Sequence, residues 1–354
     1  MDKPKKVVII GHFGGNKNFL DGQTVKTKTL YDTLLENSNF KIKKVDTYNR
    51  HKNPIKLFVQ IIFSLMTTKD VIILVSDNGV RVLFPILYFF AKCFKTRIYH
   101  DAIGSKLATC VKEHQQFKKY INSFKVNWVE TKNLKNELDL VGINNAEVLP
   151  NFKKIEIIKK EELKEDFLYP FEFCTFSRVM KEKGIEDAVK AIEAINKREN
   201  KIVCKLDIYG PIDEKQKDWF DALEKSFPEY IKYKGSIHYD RSTEVIKNYY
   251  MLLFPTCWRG EGFAGTVIDA FSAGLPVIAT DWNCNAEIID RDINGIIYPS
   301  EKISSLEQAI DWALNNISEV KKMKENCIYK AETYKAEKMI LNIIKKIEKE
   351  QSKA

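Results

Sequence analysis

Glu261 stands alone between Gly260 and Gly262, on a glycine turn between the apolar run Met251–Phe254 and a helical run from Thr266 to Ala273. A carboxylate held on such a turn can accept hydrogen bonds from sugar hydroxyls. Eight residues on, Asp269 falls two turns into the expected helix and can do the same for a ribose. It sits among Val267, Ile268, Ala270 and Phe271, where burying a carboxylate is costly unless a ligand or structural partner satisfies it. Gly274 and Leu275–Pro276 stop the helix, and Val277–Ala279 reads as a second buried strand. Strand, glycine turn, helix and strand make a phosphate-binding layout, because free N–H groups at a helix N-terminus favour an anion. Ligand-free turns of the same composition also occur.

Three more sets of residues fall at expected strand ends. Arg178 and Lys183 lie five apart, before Gly184 and a helix. Two cations there oppose the helix dipole unless an anion joins them. Arginine offers a planar fork to phosphate oxygens and lysine a point charge. The competing reading is a solvated pair balanced by Glu182 and Glu186. Gly14–Gly15, followed by Asn16 and Lys17, lets backbone approach a phosphate or sugar, yet it is not a G-x-G-x-x-G motif and reads equally as a plain turn. His100–Asp101 ends the fourth expected strand. A histidine there can orient a sugar or titrate, or be a satisfied structural residue.

The elements that position these groups alternate along the chain. Val7–Ile10, Lys41–Val45, Val71–Val75, Arg97–His100, Val126–Val129 and Glu147–Leu149 read as strands separated by helical patterns. A helix over Val111–Phe124 is among them. The charged segment Lys153–Asp166 follows Pro150–Asn151. A second series then begins at Phe171–Phe176 and runs through Val203–Tyr209, Tyr230–Tyr233, Met251–Phe254, Val277–Ala279 and Gly295–Tyr298. The region Val320–Lys349 reads as one long helical stretch. Alternating strands and helices mean parallel sheets, with ligand at strand C-terminal ends. The expected division is a domain over 1–152, a linker over 153–170, a second domain over 171–335 and a C-terminal helix over 336–354.

At 354 residues, two domains are the prior. Seven scattered cysteines without a C-x-x-C pair favour free thiols over disulfides or zinc. No signal peptide is visible, and the longest apolar stretches, Leu57–Met66 and Val82–Phe94, fall short of a bilayer span. A cytoplasmic protein is expected. The net charge of +9 is one-sided: residues 1–150 carry 24 Lys and Arg against 13 Asp and Glu, and the remainder nets −2. Such a half suits a lipid headgroup surface, a pyrophosphate or nucleic acid, or follows from lysine-rich composition alone.

The R-x4-K-G of Arg178–Gly184 and the EGFAGTVIDAFSAGLPVIAT of Glu261–Thr280 resemble the retaining GT-B glycosyltransferases of family 4. Gly14–Gly15, His100–Asp101 and Leu149–Pro150–Asn151 resemble the same family, so nearly the whole chain is covered. The resemblance implies two Rossmann-like, doubly wound domains facing an interdomain cleft, with the C-terminal helix crossing back to the first domain. It assigns Arg178 and Lys183 to the donor diphosphate, with Gly14, Gly15 and the backbone of Gly265, Thr266 and Val267. It gives Glu261 to the donor sugar, with His100 and Asp101 as further catalytic candidates. Asp269 would hold the ribose, and Gly210, Pro211 and Ile237 the base edge. The family's second glutamate is Asp269 here, about 1.5 Å shorter in reach.

The implied reaction is metal-independent transfer with retention, from a nucleotide diphosphate sugar, uridine being the commonest base. No cofactor is expected. The acceptor is expected to be a glycan, lipid-diphosphate-linked, in surface polysaccharide synthesis. The helices Ile55–Thr67 and Arg81–Phe94, rimmed by Lys52, Lys56, Lys69, Lys92, Lys95 and Arg97, suit docking on an anionic membrane at its inner face. A buried core helix is the rival reading for 81–94. A non-catalytic sugar-nucleotide binding or scaffold protein is the main alternative, and intact Glu261, Arg178 and Lys183 argue against it. A nucleic-acid binder lacks an interleaved aromatic–basic motif. An epimerase of the same fold is disfavoured by aspartate at 269.

Overall fold

The computed structural model describes residues 5–17, 19, 21–48, 50, 52–75, 77–164, 166–300 and 303–353. The chain divides into two compact units, 1–154 with 334–354, and 155–333.

In the first unit the strands are β1 (Lys6–Gly11), β2 (Lys41–Asp46), β3 (Asp70–Val75), β4 (Arg97–Ala102), β5 (Val126–Val129) and β6 (Ala146–Val148). They form one parallel sheet in the order β2-β1-β3-β4-β5-β6. Its helices are α1 (Gly22–Asn37), α2 (Pro54–Thr67), α3 (Asp77–Phe94), α4 (Leu107–Glu113), α5 (Gln116–Ile121) and α6 (Lys132–Leu140). Asp21 caps α1 by accepting from the Thr24 amide at 3.0 Å. β1 and β3 are apolar runs because both faces of a central parallel strand are covered.

The second unit carries β7 (Phe171–Phe176), β8 (Cys204–Tyr209), β9 (Ile231–Gly235), β10 (Met251–Phe254), β11 (Val277–Thr280) and β12 (Gly295–Tyr298), parallel, in the order β12-β11-β10-β7-β8-β9. Its helices are α7 (Ile185–Arg198), α8 (Lys217–Glu224), α9 (Ser242–Ile246), α10 (Gly265–Ser272), α11 (Asn285–Ile288), α12 (Ile303–Asn315) and α13 (Ile317–Glu332). Each sheet reverses its strand order beside its first strand, β1 or β7, and open α/β sheets bind ligands at the carboxyl end of that switch point.

Three details differ from the pattern in the sequence. The helix read over 111–124 is two helices, α4 and α5, separated by His114–Gln115. The helical region over 320–349 is not continuous: it breaks after α13 and resumes as α14 (Ala336–Ser352), at the start expected for the C-terminal helix. There the Lys153 amide donates to the Tyr334 carbonyl at 3.4 Å, and the Ala336 amide donates to the Lys153 carbonyl at 3.1 Å. Backbone groups that would continue the helix are spent on this crossing. Residues 155–164 do not hang free as a linker: the Ile158 amide donates to the Ser272 carbonyl at 3.0 Å, and Ile158 is buried on the second unit.

The crossing returns α14 to the first unit. Ile340, Ile343 and Ile347 are fully buried there, in one cluster with Leu30, Leu34 and Tyr99. At roughly 1.5–3 kcal/mol per buried isoleucine, this face outweighs any exposed ion pair in anchoring the helix.

Candidate active site

In the second unit the functional side chains gather where β7 and β10 end. Gly184, at φ +70°, starts α7 so close to β10 that a Cβ would lie 2.1 Å from the Pro255 carbonyl oxygen. That approach sets Lys183 against the glycine turn. The Lys183 ammonium donates to Glu261 Oε2, and the Thr256 hydroxyl donates to the same oxygen at 2.9 Å. The ammonium also lies 4.9 Å from the Trp258 ring centre and 5.5 Å from that of Phe254. Lysine and glutamate are both buried, so each charge depends on the other for compensation.

The turn is tied at several points. The Glu261 amide donates to the Trp258 carbonyl at 3.0 Å. Asn283 Nδ2 donates to the Glu261 carbonyl at 3.1 Å, and Trp282 Nε1 to the Trp258 carbonyl at 2.8 Å. Asn283 adopts φ +49°, a left-handed conformation that asparagine tolerates better than most residues.

Arg178 is half-exposed, with Nη1 3.7 Å from Asp213 Oδ2. Glu182 accepts from Gln216, and Glu186 accepts from Lys190 and Trp219. Neither balances Arg178 or Lys183, so the local-neutralisation reading fails: the partners come from the glycine turn and from the loop after β8. Gly210, at φ +136°, has no room for a Cβ, which would sit 1.8 Å from the Ser177 carbonyl oxygen. The Val179 amide donates to the Pro211 carbonyl at 2.9 Å, and the Gly210 amide to the Gly235 carbonyl at 2.9 Å. Gly210 and Pro211 therefore lie between Ser177–Arg178 and the end of β9, with half-buried Ile237 two residues beyond β9.

Helix α10 begins at Gly265, where the Thr266 hydroxyl donates to the Phe176 carbonyl at 2.7 Å and pins the helix start to the end of β7. Of the three amides expected to face a phosphate, that of Val267 is spent on the Ala264 carbonyl at 3.0 Å. Gly265 and Thr266 keep the first-turn amides that a helix leaves without internal partners. Asp269 is buried one turn into α10, not two.

The first unit treats its candidates differently. Asp46, at the end of β2, accepts from the Phe13 amide at 2.9 Å and the Gly15 amide at 2.8 Å. The glycine pair is thus a loop fixed by a carboxylate, with φ +82° at Gly14 and +58° at Gly15. His100 and Asp101 do not stand at an open strand end. β4 continues through Ala102, neighbouring strands flank it on both sides, and both side chains are fully buried. His100 Nδ1 donates to Asn127 Oδ1 at 3.0 Å, and its ring packs edge-on against Phe84. Burial drives the imidazole down to about 4. Asp101 accepts from Lys26 at 2.7 Å, and Lys26 also reaches Glu130 at 3.1 Å. Burial pushes the Asp101 carboxyl up to about 6, against the pull of Lys26. Both residues are interior groups of the first unit.

Thr256, Trp258 and Asn283 carried no signal in the sequence because their part in the site comes from contacts with Glu261 and Lys183 that the fold creates. Lys324 did carry one: it interrupts the apolar row Val320, Met323, Cys327 and Ala331 of α13, and the structure buries it. Its ammonium donates to the Tyr249 and Gly274 carbonyls at 3.2 and 3.4 Å, and burial lowers it to about 8.

Two doubly wound parallel-sheet units are the architecture of the GT-B class, and here a lysine–glutamate pair lies beside a helix start at the second switch point. Residues 153–333, just over half of the chain, match the family model described as glycosyl transferases group 1, and the chain belongs to that family. Among curated proteins, the UDP-N-acetylglucosamine–peptide N-acetylglucosaminyltransferase GtfA subunit of Streptococcus agalactiae is 30% identical over 141 residues, 39% of this chain and 26% of that relative. An uncharacterized glycosyltransferase, MJ1069, of Methanocaldococcus jannaschii is 22% identical over 170 residues, 46% of this chain and 41% of the relative. The matched stretches thus span well under half the length of these relatives.

Among solved structures, sucrose-phosphate synthase from Thermosynechococcus elongatus superposes with a TM-score of 0.77 at 12% identity, covering 99% of this chain and all of that one. Anabaena Alr3699/HepE in complex with UDP gives 0.73 at 11% identity, covering 98% of this chain and all of that one. At such identities the likeness is one of fold.

Proposed function

We propose that this protein is a retaining glycosyltransferase that moves a hexose-type sugar from a nucleotide diphosphate sugar, UDP-linked, to a glycan acceptor. The observation that carries this reading is the buried Lys183–Glu261 pair beside the start of α10. A diphosphate takes the ammonium of Lys183, the guanidinium of Arg178 and the amides of Gly265 and Thr266. The sugar's hydroxyls take the carboxylate so released, and Asp269 serves the ribose. Two cations and a helix N-terminus stabilise charge growing on the departing diphosphate, and the reading needs no metal for that task. The Streptococcus relative is named for a UDP donor, which favours uridine. The test is a thermal-shift panel of nucleotide sugars. A ligand at 100 times its Kd adds about 2.7 kcal/mol, and a panel in which no nucleotide diphosphate stabilised the protein would overturn the proposal.

The acceptor reading is a lipid-diphosphate-linked glycan in surface polysaccharide synthesis, met at an anionic membrane surface. No helix among the described residues is long and apolar enough to cross a membrane. Yet α2 exposes Ile55, Val59, Phe63 and Met66 at 77, 58, 57 and 58%, a row at helical spacing pointing away from its buried Ile61 and Leu65. Val82 and Phe89 of α3 are exposed too, while Phe84 and Leu87 face the core. No acidic residue lies on α2, and Lys52, Lys56, Lys69, Lys92 and Lys95 surround the two helices. Apolar side chains in a cationic rim suit an anionic bilayer. The name of the Streptococcus relative makes a peptide acceptor the second reading, to be separated by transfer assays with both acceptor classes.

A further inference from the structure

Beside the glycine loop, the first unit holds a cavity of about 330 Å³ between α1 and β2. Phe13, Lys28, Tyr31, Asp32, Lys44 and Asp46 line it, together with Gly15 and Asn16. The wall is built: Asp46 holds the Phe13 and Gly15 amides, and also accepts from the Tyr48 amide at 2.9 Å. The rings of Phe13 and Tyr31 meet edge to face, with centres 5.6 Å apart. The Lys44 ammonium rests 5.5 and 5.4 Å from those two centres.

Charge selects the ligand class. The cavity is lined by two ammonium groups and two carboxylates and is formally neutral, unlike a dedicated phosphate or cation site. Asp46 is occupied by backbone amides. Lys28, Asp32 and Lys44 form no hydrogen bond or ion pair with each other or with another side chain among the described residues. Asp32 is an exposed residue whose carboxyl is held above its usual range by partial desolvation and by Glu36, while Lys154, Lys44 and Lys28 pull it down. Donors, an acceptor and aromatic carbon in one neutral recess match a polyhydroxylated ring, whose hydroxyls need both hydrogen-bonding partners and whose C–H faces lie against aromatic rings. The volume is at the low end for a ligand pocket and suits one ring.

We infer that this cavity is a carbohydrate subsite that holds one neutral hexosyl unit of the acceptor glycan. Tyr31 supplies the apolar wall, Asp32 accepts from ring hydroxyls, and Lys28 and Lys44 donate to ring oxygens. Assigning the sugar to the acceptor rests on the glycosyltransferase reading; the existence of the site does not.

The probes are the methyl glycosides of glucose, galactose and N-acetylglucosamine, read by saturation-transfer NMR on the full chain, with inorganic phosphate as a further arm. At least one glycoside should bind, and Tyr31→Ala and Lys44→Ala should each weaken it by about tenfold or more. Asp32→Asn, nearly isosteric, should weaken it without altering the melting temperature, which separates lost binding from lost folding. No glycoside binding, equal binding by all variants, or Lys44-dependent binding of phosphate in place of a glycoside would each overturn the inference. UDP-induced stabilisation of the same protein reports on the other site. UDP binding without glycoside binding sinks the subsite alone, and the reverse sinks the transferase reading alone.

Discussion

Lys183 donates a hydrogen bond to Glu261, and Thr256 donates to the same carboxylate oxygen from the other side of the turn. The two charged residues are 78 positions apart in the chain and largely shielded from water. With donor absent, the two groups proposed to bind diphosphate and sugar satisfy each other. The site keeps its geometry without leaving a buried charge alone.

Removing one partner exposes that dependence. Lys183→Met should destabilise the protein by about 3–5 kcal/mol, because Glu261 is left buried and uncompensated. Adding Glu261→Gln to that variant should recover much of the loss, giving a large coupling energy in a double-mutant cycle measured by urea unfolding. Both variants should lose UDP-induced stabilisation.

Glycine 184 offers a backbone test. An alanine there meets the Pro255 carbonyl oxygen at 2.1 Å and a left-handed φ, whereas Gly104, at φ +88°, has nothing within 4 Å of its Cβ position. Gly104→Ala should cost about 1–2 kcal/mol, the conformational penalty alone. Gly184→Ala should cost more and weaken nucleotide binding besides, since the clash moves Lys183. Thermal melts with and without UDP compare the two.

Asp101 predicts a pH dependence. Its folded-state value, near 6, lies above the ordinary 3.8, so the folded protein binds its proton more tightly than the unfolded chain does. The stability this contributes is complete below pH 3.8 and is lost as pH rises through 6. Asp101→Asn removes that loss. The stability of the variant relative to the natural protein should therefore climb between pH 4 and 6, by up to about 3 kcal/mol. Lys26, Glu130 and His100 surround the position, so His100→Gln is the control for imidazole titration, whose trend has the opposite sign.

Membrane docking is tested on α2. Val59→Glu and Phe63→Ser change exposed side chains and should leave the melting temperature within about 2 °C, because substitutions away from the core usually fall within ±0.5 kcal/mol. Sedimentation with anionic vesicles at low salt should drop severalfold. Unchanged sedimentation, or none by the natural protein, would remove the membrane from the acceptor reading.

Sequence alone determined the two parallel-sheet units, because short apolar runs alternate with helical periods along both halves of the chain. It also singled out Arg178, Lys183, Glu261 and Asp269, since cations before a helix and a carboxylate on a glycine turn are unusual locally. Partnership was not legible there. That Lys183 pairs with Glu261, that Asp101 pairs with Lys26, and that Asp46 clasps the Gly15 amide all depend on strand order and on the close approach of chain segments. The C-terminal region shows the same limit. Its apolar period over 320–349 is continuous and shows no break; backbone hydrogen bonds to Lys153 divide it there and send α14 to the first unit, a crossing that the family resemblance, not the periodicity, led one to expect. Periodicity reports which face of a helix is apolar; only the tertiary structure decides which core receives it, because that depends on surfaces far away in the chain.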